Sequence, residues 1–82
     1  MIHITIQYFG PAADACGTER GECTLPEGAT LGDLMARLHA QHLPLARAGS
    51  TVHYAVNLAY AAPQRVLRDG DEVAVIPPVS GG

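Results

Sequence analysis

One helical stripe dominates the chain's periodicity. Leu31, Leu34, Met35 and Leu38 fall at i, i+3, i+4 and i+7, the spacing that gathers apolar side chains on one face of a helix. Thr30 and Asp33 form a capping-box pattern at its start, with Asp in place of the usual Glu or Gln. Pro44 is expected to stop this helix soon after His42. The stripe faces a core and carries no obvious active site.

The other regular segments alternate with period two. Residues 2–9 put Ile2, Ile4, Ile6 and Tyr8 on one face and His3, Thr5, Gln7 and Phe9 on the other, as a half-buried strand does. After Gly10-Pro11, residues 12–16 allow a helical turn stopped by Gly17. Residues 18–25 read as a weaker strand with Gly21, Cys23 and Leu25 on one face. Beyond a loop through Ala48-Gly49-Ser50, residues 52–57 alternate again, with Val52, Tyr54 and Val56 together. A short strand around Tyr60 and a turn at Pro63 are possible readings of residues 58–67, and Asp69-Gly70 is a turn that launches a last strand over residues 72–76.

With 82 residues the chain buries only about 60–65% of its unfolded surface, so all elements share one core. Two strands, a helix and further strands then make an α+β domain, a mixed sheet of four to five strands with one main helix across one face. Among small domains that order points to a ubiquitin-like β-grasp. By analogy with that fold the first and last strands lie side by side at the centre, and residues 77–82 leave residues 1–76 as an extended tail.

Composition removes several functions. The formal charge is −3 and the five basic residues, all arginine, are scattered, so no basic patch marks a nucleic-acid partner. No apolar run approaches the roughly 20 residues of a membrane span, and without a signal-peptide pattern a cytoplasmic protein is expected. Cys16 and Cys23 are too few for a four-thiolate cluster. They read as a connection thiol and a core residue. His39 and His42 read as solvated groups near a helix C-terminus, and His3 and His53 as outer-face residues, so no metal is assigned. The absence of lysine leaves no internal amine for a Schiff base or for an isopeptide bond to a second copy.

The distinctive chemistry sits in Pro77-Pro78-Val79-Ser80-Gly81-Gly82. Neither proline donates to a sheet ladder, so the strand ends there and the chain runs on extended. From Pro78 to Gly82 it reaches ~17 Å, at ~3.3–3.6 Å per residue. A carboxylate on Gly82 is a poor acyl donor until activated, for example as a mixed anhydride with AMP, after which sulfur or an amine can attack. Glycine at the last two positions lets the tail enter a narrow channel that side chains would block. Phe9, Tyr60 and Ile76 lie outside the core-facing sets. Grouped on the outer sheet face, they would form a partner site.

The stretch "AVNLAYAAPQRVLRDGDEVAVIPPVSGG", with "PEGATLGDLMARL" at the helix, resembles the MoaD and ThiS family of sulfur carriers, and within it the small subunit of molybdopterin synthase. The most specific part is "DGDEVAVIPPVSGG". Many members carry an Arg-Glu pair soon after the first strand, where this chain reads "GPAADACG". The resemblance implies a subunit that is itself non-catalytic, its Gly82 carboxylate adenylated by an ATP-dependent, MoeB-like activating enzyme and then thiocarboxylated. No cofactor would be stably bound; the AMP adduct and the thiocarboxylate would be transient. The tail, Pro77, Pro78, Val79, Ser80 and Gly81, would enter a MoaE-like large subunit holding the catalytic side chains, and sulfur would pass to cyclic pyranopterin monophosphate to form molybdopterin. The same likeness puts Phe9, Tyr60 and Ile76 at the hydrophobic contact with the partner. A related carrier for thiazole, cysteine or tRNA thiolation, a protein modifier, and a plain interaction module stand as alternatives.

Overall fold

A computed structural model describes residues 1–48 and 52–77. The elements are β1 (Ile2–Tyr8), α1 (Pro11–Cys16), β2 (Arg20–Leu25), α2 (Leu31–Gln41), α3 (Leu43–Ala48), β3 (His53–Val56), β4 (Ala59–Tyr60) and β5 (Glu72–Ile76). The five strands form one sheet in the order β2-β1-β5-β3-β4. β1 and β5 run parallel at its centre and the other pairs are antiparallel. This is the mixed β-grasp sheet expected from the order of elements, with first and last strands adjacent.

Alternation places the core. Ile2, Ile4, Ile6 and Tyr8 of β1, Val73 and Val75 of β5, and Tyr54 and Val56 of β3 are buried in one cluster with Leu31, Leu34 and Leu38 of α2. Each large aliphatic side chain so buried contributes roughly 1.5–3 kcal/mol. Met35, the fourth residue of the helical stripe, is only partly buried and packs against the edge of this cluster.

The start of α2 is fixed by its own cap and by a distant loop. Thr30 Oγ1 accepts from the Asp33 N–H at 3.2 Å, and Asp33 Oδ2 accepts from the Thr30 N–H at 2.9 Å, completing the capping box. The Leu31 and Gly32 N–H groups donate to the Arg65 and Pro63 carbonyls at 2.8 Å each. A Cβ on Gly32 would stand 3.3 Å from the Pro63 oxygen, so glycine permits this close approach.

The second half of the helical region departs from expectation. α2 does end before His42, but Pro44 does not terminate helical structure; it lies in the first turn of α3. A proline is tolerated there because first-turn N–H groups have no intrahelical acceptor. The new helix turns Leu45 into the core. β2 also starts later than the alternation implies, because Thr18 Oγ1 donates to the Arg20 carbonyl at 2.7 Å and accepts from its N–H at 3.3 Å, making a local turn.

Asp71 is the one buried charged residue among those described. Its carboxylate accepts from Asn57 Nδ2 at 2.9 Å and from the Arg68 N–H at 2.8 Å. Asn57 Oδ1 in turn accepts from the Glu72 N–H at 3.0 Å. These bonds join the turn after β3 to the start of β5. Asp71→Ala orphans two donors and should cost about 1–3 kcal/mol, measurable as a lower urea midpoint.

Candidate functional site

The side of the sheet away from the helices is the candidate site. β5 delivers the chain to Pro77 between β1 and β3. In the register, Tyr8 pairs with Val75, and the Phe9 N–H donates to the Val75 carbonyl at 3.2 Å. Phe9 therefore lies beside Ile76, and Ile76 pairs across with His53. One step back, Gln7, Ala74, Ala55 and Tyr60 form the next row.

These two rows bring Phe9, Ile76 and Tyr60 onto one face, a grouping that the strand register supplies. Phe9 is 48% exposed and Tyr60 75%, whereas Ile76 is half-buried. The Tyr60 ring meets the His53 ring edge-to-face at 6.1 Å between centroids. Ala55 and Ala74, both small, lie between the larger side chains, so the patch has a low floor and raised apolar edges. Beside Phe9 an open hollow is lined by Gln7, Gly10, Asp14 and Glu19. The face offers apolar area with an acidic margin next to the root of the tail. Of the expected tail residues Pro77 is described; Pro78, Val79, Ser80, Gly81 and Gly82 lie outside the described residues.

The titratable side chains at the core and its border serve packing and hydrogen bonding. His39 and His42 are not the freely solvated groups their position implies: each is half-buried, with Nε2 at 3.5 Å from the Tyr54 hydroxyl and 3.3 Å from the Tyr8 hydroxyl, respectively. These bonds draw the end of α2 onto the inner face of the sheet. Burial pushes the Tyr54 hydroxyl up to about 12 and raises that of Tyr8, so both remain protonated donors or acceptors. Burial also pushes the Cys16 thiol up, away from the thiolate that a nucleophile requires. Cys23 is buried, as its place in β2 predicts. Among the described residues no cluster of His, Cys, Asp and Glu could hold a metal ion.

Leu58 went unnoticed in the sequence because apolar alternation on both sides of it masked the turn. Val56 pairs with Ala59, leaving Asn57-Leu58 as a two-residue loop in which both residues have positive φ, 51° and 72°.

A model of the ThiS family matches residues 6–82. The chain belongs to the ThiS family. This ThiS-family protein is 40% identical over 83 residues to the molybdopterin synthase sulfur carrier subunit of Mycobacterium tuberculosis, with 100% of each chain covered. It is 39% identical to the subunit of the same name from Chlamydomonas reinhardtii, covering 99% of this chain and 100% of that one. A solved structure from Pyrococcus furiosus, named as a candidate molybdopterin converting factor subunit 1, superposes with a TM-score of 0.88 at 30% identity, over 96% of this chain and 100% of the other. Among the described residues, no helix is long and apolar enough to cross a membrane.

Proposed function

We propose that this chain is the sulfur carrier subunit of a cytoplasmic molybdopterin synthase, with Gly82 as the residue that carries the sulfur. The observation that supports this most strongly is the 40% identity, covering 100% of both chains, with the Mycobacterium tuberculosis sulfur carrier subunit. The position of β5 agrees with it, because a central strand anchored on both sides is a firm base from which to extend a tail.

The chemistry divides into balanced steps. The Gly82 carboxylate attacks the α-phosphorus of ATP on an activating enzyme, forming an acyl-adenylate and releasing pyrophosphate. A sulfur donor then attacks the acyl carbon and AMP leaves. With a persulfide donor the product is an acyl disulfide; a thiol then attacks its donor-side sulfur, forming a disulfide with the donor and releasing Gly82 as a thiocarboxylate. In the large subunit this sulfur attacks a carbon of cyclic pyranopterin monophosphate, an oxygen substituent leaves that carbon, and water hydrolyses the resulting thioester, so that the tail regains its carboxylate and the sulfur stays on the substrate. The chain's own part is to bind and deliver: Pro77 and Pro78 project the tail, Val79 and Ser80 span the entry, and Gly81 and Gly82 keep its end narrow.

Phe9, Tyr60 and Ile76 supply the docking contact with the large subunit. Aromatic side chains near the centre of an interface carry much of its affinity. Phe9→Ala and Tyr60→Ala should each raise Kd for the large subunit about tenfold, equivalent to about 1.4 kcal/mol, while leaving the fold intact because both side chains are exposed. Calorimetric titration measures this directly.

The functional test is single-turnover synthesis with the large subunit and cyclic pyranopterin monophosphate. The thiocarboxylated chain should yield molybdopterin and the carboxylate form none. A thiocarboxylated chain that yields no molybdopterin would contradict the assignment and favour a carrier for a different sulfur acceptor.

A further inference from the structure

We propose that Leu58 is a preformed anchor that inserts into an apolar pocket of the large subunit, at the tip of the β3–β4 hairpin. The inference rests on the partner assigned above and extends its docking surface by a residue that the likeness to the family did not supply.

Folding alone does not account for leucine at this position. In a two-residue hairpin loop with both φ values positive, glycine, asparagine or aspartate is preferred, because a larger side chain crowds the backbone in the left-handed region. Asn57 satisfies that preference; Leu58, at φ 72°, does not. Its side chain is also 96% exposed, so contacts within the chain do not offset the strain. A strained backbone position that gains nothing locally points to a role outside the folded chain.

The tip is held rigidly. Asn57 donates through its N–H to the Glu72 carbonyl at 2.8 Å and through Nδ2 to Asp71 at 2.9 Å, and accepts from the Glu72 N–H at 3.0 Å. Leu58 is therefore presented in one backbone conformation, and little ordering is left to be done on binding. It also precedes Tyr60 by two residues in the same hairpin, and the Tyr60 ring lies against His53 in the outer-face patch. A branched aliphatic side chain beyond the edge of an aromatic patch calls for a pocket of apolar character on the same partner.

The two roles of Leu58 separate under substitution. Leu58→Gly and Leu58→Asn relieve the strain and remove the anchor, so each should raise Tm by a few degrees and raise Kd for the large subunit about tenfold. Leu58→Met keeps both the strained position and an apolar side chain, and should bind within about threefold of the unaltered protein. Titration calorimetry and thermal melts on the full chain and the full large subunit supply both readings. Unchanged affinity in the glycine and asparagine variants, or a fall in Tm in both, would overturn the proposal while leaving the partner assignment standing. Failure of the unaltered chain to bind the large subunit would overturn both.

Discussion

Deleting Gly82 is expected to abolish molybdopterin synthesis while leaving the thermal melt unchanged. The shortened chain would still end in a glycine carboxylate, now on Gly81, but one residue nearer the sheet, a displacement of ~3.3–3.6 Å for extended chain. Misplacing a reacting group by as little as 1 Å can cost about a hundredfold. Turnover should therefore fall by at least about a thousandfold. Stability should not follow, because among the described residues the last member of the buried cluster is Val75 on the last strand. Paired single-turnover assays and melts separate delivery of the reacting group from folding, and a parallel loss of both would show that the terminal residue helps hold the fold.

Leu34→Ala should produce the opposite pattern. Leu34 is 0% exposed beneath α2 and belongs to the single core. Truncating a buried leucine to alanine costs about 2–5 kcal/mol, as lost transfer energy and as a residual cavity. A domain of this length has a total stability of roughly 4–12 kcal/mol, so the substitution removes a large fraction of it. The urea midpoint should fall sharply. Met35→Ala, one position away on the same stripe but only partly buried, should cost less. Equal losses at the two positions would contradict the packing of the helix described above.

Much of the architecture was legible because it follows from periodicity. Alternation in residues 2–9 and 72–76 marks the two central strands, and the Leu31-Leu34-Leu38 stripe with the Thr30 cap marks the helix that covers them. α3 was hidden by Pro44, which reads as a stop although the same residue is acceptable in a first helical turn. His39 and His42 read as solvated because helix position alone does not reveal that Tyr54 and Tyr8 stand within reach across the core.

The candidate site was legible in part. Phe9, Tyr60 and Ile76 fall outside the core-facing sets, and strand register then gathers them on one face. Leu58 was not legible: leucine amid alternating apolar residues reads as strand, and only the left-handed backbone of the turn shows that it stands alone. The two-residue turn is itself fixed by Asp71 and Glu72, partners more than a dozen residues along the chain, which local pattern cannot reveal.

Gly82, as the acyl group that carries the sulfur, is the residue on which the proposed chemistry turns. Its most direct measurement is the intact mass of the chain after incubation with the activating enzyme, ATP and a sulfur donor, with fragmentation to locate any change. One oxygen should be replaced by sulfur, with the change confined to the terminal glycine and dependent on ATP. An unchanged mass, or sulfur found on Cys16 or Cys23 instead, would contradict it.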